Sequence, residues 1–96
     1  MNLEEAARIA VLVGKQLGIS LTLTPGYGPY DPGHQAKLLR IGKDAWGLEI
    51  KIEVLDNESV EHIKFLIAHE ACHAAVTRLN ETDAMDCASK LLKGEK

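Results

Sequence analysis

The sequence is short of several things, and each shortage excludes a class of protein. Lysine and arginine number eleven against fourteen acidic residues, for a formal net charge of -3. There is no clustered basic surface of the kind that binds nucleic acid or acidic membranes. No run approaches the roughly 18 apolar residues that cross a bilayer. The opening residues, Met1-Asn-Leu-Glu-Glu-Ala-Ala-Arg8, hold no basic segment followed by an apolar stretch, so no secretory signal is expected. Cysteines number two, Cys72 and Cys87. That is too few for a disulfide framework, and the expectation is a pair of core thiols in a cytoplasmic protein. No repeat and no low-complexity tract breaks up the 96 residues. The chain reads as one domain over 1–96, large enough for a single modest core.

What is present is patterned. Leu3, Ala6, Ala7, Ala10, Val13 and Leu17 recur at helical spacing across residues 2–17. Glu4 and Glu5 stand in the first turn, where the helix dipole favours anions, and Gly18 is a natural stop. Residues 20–24 are short and β-rich. The segment from Thr24 to His34 then holds all three prolines and three glycines, which predicts a long loop. Two strands are expected next, over residues 36–42 and 47–55, with the turn at Lys43-Asp44-Ala45-Trp46. In the second, Leu48, Ile50, Ile52 and Val54 alternate with Glu49, Lys51 and Glu53, the pattern of a half-buried strand. Asn57 or Ser59 caps a helix running to about Thr77, and Asn80 caps another. The expected fold is α+β. It has an N-terminal helix, a three-stranded and mostly antiparallel sheet, then two helices covering one face.

The chemistry concentrates in Ile67-Ala68-His69-Glu70-Ala71-Cys72-His73-Ala74. Residues at i and i+4 of a helix lie one above the other, so His69 and His73 can grip one zinc ion at about 2 Å each. Glu70, one position on, is displaced from the ion but within reach of a metal-bound water, whose proton it can take. HExxH also arises by chance on helices. Here Val60, Ile63, Leu66, Ile67, Ala68, Ala71 and Ala74 make the helix apolar, and burying two histidines and a glutamate without a role is costly. A catalytic zinc takes three protein ligands. Glu81, Asp83 and Asp86 are the downstream candidates, and Glu81 is favoured. It opens the last helix and shares a face with Ala84, Met85 and Ala88, small enough for the most part to let that helix approach closely. Asp83 is read as a capping acid. His62 lies about 10 Å before His69 by helical rise, too far to share the ion, and is read as a surface histidine. Tyr27, Tyr30 and His34 are candidate transition-state donors from the loop.

These segments, with Glu81-Thr-Asp-Ala84 and Ala88-Ser-Lys-Leu91-Leu92, resemble the gluzincin clan of zinc metallopeptidases, and most of all its minigluzincins and the ImmA/IrrE peptidase family. The resemblance covers roughly the last third of the chain. It implies a zincin-like domain with an HExxH helix and a C-terminal glutamate helix. It also implies Zn2+ held by His69, His73 and Glu81, with Glu70 as general base. Three departures stand out. Met85 occupies the position where the family pattern has Asp or Asn to orient a ligand histidine, with Asp86 the neighbouring substitute. Seven residues separate His73 from Glu81, a short connection for the clan, and no proline follows Leu92. The expected activity is peptide-bond hydrolysis on a peptide or protein substrate aligned along a strand edge, with no nucleic-acid or membrane partner. Two alternatives are a zinc-binding module without turnover and a zinc-dependent RNA-processing hydrolase. Against the latter stand the acidic charge and the lack of a histidine after His73.

Overall fold

The computed structural model describes residues 1–26, 35–76 and 80–94. Helix α1 spans Leu3–Leu17, with the Asn2 side chain accepting from the Glu5 N–H at 2.8 Å. Gly18 ends it in the left-handed conformation, φ 76°, which costs glycine nothing. The N–H of Ile19 then reaches back to the Gly14 carbonyl at 2.9 Å. The buried stripe of α1 is Ala6, Ala10, Val13 and Gly14, small enough for the helix backbone to sit close to the sheet. A Cβ on Gly14 would lie 2.9 Å from the Ile19 oxygen and 3.0 Å from the Leu21 Cβ.

Three strands follow: β1 (Ser20–Gly26), β2 (Ala36–Arg40) and β3 (Ala45–Lys51). Their order is β1-β3-β2. Strand β3 pairs antiparallel with β2, from Ala36 opposite Ile50 to Arg40 opposite Trp46. It pairs parallel with β1, from Ser20 opposite Ala45 to Gly26 opposite Lys51. The sheet is therefore mixed rather than mostly antiparallel. Leu48 and Ile50 are fully buried, so β3, the most apolar strand, takes the centre. The β2–β3 hairpin, closed by the Ile41 and Gly42 N–H groups on the Ala45 carbonyl, leaves β3's other edge to β1. The turn lies at residues 42–44, and Ala45 and Trp46 already belong to β3.

The expected strand over 47–55 stops at Lys51. Residues Ile52–Asn57 form a short helix, α2. Val54 and Leu55 are consecutive and both buried. A strand would turn one of them to the opposite sheet face, where Thr22, Thr24, Lys37 and Leu39 are exposed or only half-buried; a helical turn buries both. Helix α3 (Val60–Ala75) is capped by Ser59, which accepts from the His62 N–H at 3.1 Å. Helix α4 (Glu81–Gly94) is capped by Asn80, which accepts from the Asp83 N–H at 2.8 Å.

The core is one cluster. Leu21, Leu23, Leu48 and Ile50 of the sheet meet Ala6, Ala10 and Val13 of α1, and Ile63, Ile67, Ala68 and Ala71 of α3, with Ala88 of α4 behind them. The helices lie on one sheet face, an α+β arrangement. Among the described residues no helix is long and apolar enough to cross a membrane.

Candidate metal centre

Helix α3 buries Ile63, Ile67, Ala68, Ala71, Cys72 and Ala74, which turns His69 and His73 to the rim of the core facing α4. Their side chains are 13 % and 22 % exposed. The two rings stand edge to face with centroids 4.8 Å apart, and their Nε2 atoms are 3.2 Å apart. Across from them, Glu81 is the first residue of α4 and puts one carboxylate oxygen on each imidazole. Oε2 lies 3.0 Å from His69 Nε2 and Oε1 lies 3.1 Å from His73 Nε2. Asn80 fixes where α4 begins, so it fixes where Glu81 projects.

These atoms converge, and proton placement cannot satisfy all the contacts. If both Nε2 atoms carry hydrogen, donor faces donor between the rings. If either lacks it, a lone pair faces an ionised carboxylate. A cation at the centre meets every donor atom as an acceptor. The dimensions also suit zinc: bonds of about 2.0–2.1 Å at a tetrahedral angle separate neighbouring ligand atoms by about 3.3 Å, close to the 3.0–3.2 Å found here. His69, His73 and Glu81 are thus a group that could hold a metal ion.

Close packing of α4 on α3 makes this convergence possible. Ala84 and Ala88 are fully buried, as are Ala68 and Ala71, and small residues let two helices approach. Cys72 and Cys87 are joined in a disulfide between the two helices, with Cα atoms 6.2 Å apart. The expectation of two core thiols is corrected here. Cys72 lies four residues after Ala68, and Cys87 three after Ala84. Each cysteine therefore extends the small-residue stripe of its helix, the one sequence signal that could have paired them.

Glu70 is not among the converging donors. It lines a neighbouring cavity of about 300 Å3 together with His69, Gln35 and Ala36 at the start of β2, and Phe65 and Met85. His62 lines the same cavity, half-buried, with its Nε2 2.8 Å from Gln35 Oε1. Neither His62 nor Gln35 stood out in the sequence as part of this cavity. A larger cavity, about 500 Å3, opens between α1 and α4 but contains no histidine; chemistry rather than size marks the smaller one. Asp83 and Asp86 both line the larger cavity, and Asp86 pairs with Lys90 at 3.0 Å. Neither joins the histidine group. Asp86 therefore does not take over the role of an acid at position 85, where Met85 supplies an apolar wall instead. Tyr27, Tyr30 and His34 lie outside the described residues.

Comparison of the chain with protein-family models, curated proteins and solved structures finds no match.

Proposed function

We propose that the chain is a zinc-dependent metallopeptidase in which His69, His73 and Glu81 hold the ion and Glu70 is the general base. The observation that carries this reading is the triangle of 3.0–3.2 Å contacts with Glu70 in the adjoining cavity. Zinc bound there would polarise the scissile carbonyl and bring a water's pKa towards neutrality. Glu70 would serve as the general base, taking a proton from water and passing it to the departing amine. Strand β2 is an outer strand of the sheet and its start borders the cavity, so an extended peptide lying along it would carry its carbonyl towards His69. The apolar wall of Phe65, Leu66 and Met85 suits an aliphatic side chain next to the scissile bond. The resemblance of the HExxH and glutamate segments to gluzincins supports the peptidase label.

One observation favours a second reading, a zinc-binding module without turnover: the cavity, about 300 Å3, is at the lower limit of ligand pockets. The RNA-processing alternative expects a third histidine, whereas the third converging donor here is a carboxylate.

Elemental analysis of wild type and His73→Ala, followed by assay on a peptide library, tests the reading. About one zinc per chain in wild type, none in the variant, and peptide cleavage abolished by chelator are expected. Protein refolded with zinc yet containing none refutes the metal site. Zinc without cleavage leaves the non-catalytic module.

A further inference from the structure

The Cys72–Cys87 bond does more than tie two helices. Cys72 sits inside the HExxH segment, one residue before His73. Cys87 sits on the helix that begins with Glu81. The carboxylate itself is 76 % exposed, so little packing around the side chain holds it in place. Its position follows from the placement of α4. The joined pair also differs in access. Cys72 is fully buried, while Cys87 is partly exposed and borders the cavity between α1 and α4, beside Gln16, Leu17 and Lys90.

We propose that the Cys72–Cys87 disulfide is a positioning device that holds Glu81 against His69 and His73, so that metal retention depends on its oxidation state. The inference rests on reading those donors as a metal site. The reductant is a dithiol. One of its thiolates enters from the α1–α4 cavity and attacks Cys87 Sγ. The S–S bond breaks, and Cys72 Sγ leaves with the electron pair and takes a proton. The second thiolate of the reductant then attacks the mixed disulfide. Cys87 Sγ leaves and is protonated, and the reductant departs as its own disulfide. Reduced, α4 keeps Ala84 and Ala88 in the core but loses its covalent tie one helical turn beyond Ala84, and Glu81 is no longer fixed on the imidazoles. A cytoplasmic setting would favour the dithiol and an oxidising compartment the bond. The same chain would therefore hold metal tightly in one and loosely in the other.

The test is a zinc titration against a chromogenic chelator on full-length protein. It compares oxidised wild type, wild type reduced with a phosphine that competes weakly for zinc, and Cys72→Ala/Cys87→Ala. Alkylation and mass spectrometry fix the thiol count, and circular dichroism the fold. Reduction and the double variant should each raise the zinc Kd by about 10–100-fold, the range for residues that orient a metal ligand, with the helical signal retained. In Glu81→Ala, which has no carboxylate to position, reduction should leave the already weakened Kd unchanged. Several results overturn the proposal: two alkylatable thiols after oxidation, equal Kd in both states, tighter binding when reduced, or metal loss that accompanies loss of helix. Oxidised wild type that binds no zinc refutes the metal site itself, a different failure.

Discussion

Replacing Glu81 with alanine should cost metal far more than it costs fold. The side chain is 76 % exposed, and without a metal its contacts with His69 and His73 are those of a surface pair, worth about 0–1 kcal/mol. With zinc present the accounting changes. Structural zinc sites with four protein ligands bind with about 10–16 kcal/mol, or about 2.5–4 kcal/mol per ligand. One ligand lost is then worth about 10²–10³ in Kd, at about 1.4 kcal/mol per tenfold. Zinc at about 1,000 times the wild-type Kd stabilises the fold by about 4 kcal/mol. At the same zinc concentration Glu81→Ala should lose most of that. For a chain of this size each kcal/mol moves the Tm by about 4–8 °C, so wild type and Glu81→Ala should melt together without zinc and diverge by more than about 10 °C with it. The control is Asp83→Ala. Asp83 is a first-turn acid on α4 whose backbone N–H is already held by Asn80. Its loss should cost about 0.3–1 kcal/mol from the helix dipole and leave the zinc Kd unchanged. Paired chelator titrations and melts decide the matter. Should Asp83→Ala release the metal while Glu81→Ala keeps it, the glutamate-helix reasoning is refuted and an aspartate completes the site.

Two further predictions address the base and the scaffold. Glu70→Gln should retain about one zinc per chain and lose about 10²–10⁴-fold in turnover, measured by peptide hydrolysis alongside elemental analysis; loss of zinc instead would make Glu70 a ligand. Gly14→Ala should destabilise the protein by about 1–3 kcal/mol, because the new Cβ would meet the Ile19 carbonyl at 2.9 Å and the Leu21 Cβ at 3.0 Å, and overpacking of this kind pushes elements apart. Urea unfolding reads the change, and an unaltered midpoint would mean that α1 can lift off β1 freely.

Local chemistry determined most of what the sequence by itself decides here. Ser59 and Asn80 each offer a side-chain oxygen to an N–H three residues on, and Gly18 accepts the left-handed conformation. These are preferences of single residues, so helix boundaries were legible at those ends. The four-residue spacing of His69 and His73 likewise set the imidazoles side by side, because helical geometry needs no partner. Alternation identified the buried Leu48 and Ile50 for the same reason. It failed at Ile52 because a period of two describes a residue's neighbours along the chain and not what lies on the far side of the sheet. Only the tertiary structure put β3 at the centre with a parallel neighbour, since strand order depends on which edges the hairpin leaves open. Only it joined Cys72 to Cys87. Glu81 belongs with these. Its helix could be read locally, but its approach to the two histidines depends on how closely Ala84 and Ala88 let α4 pack on α3, and packing distance between helices is set by both surfaces at once.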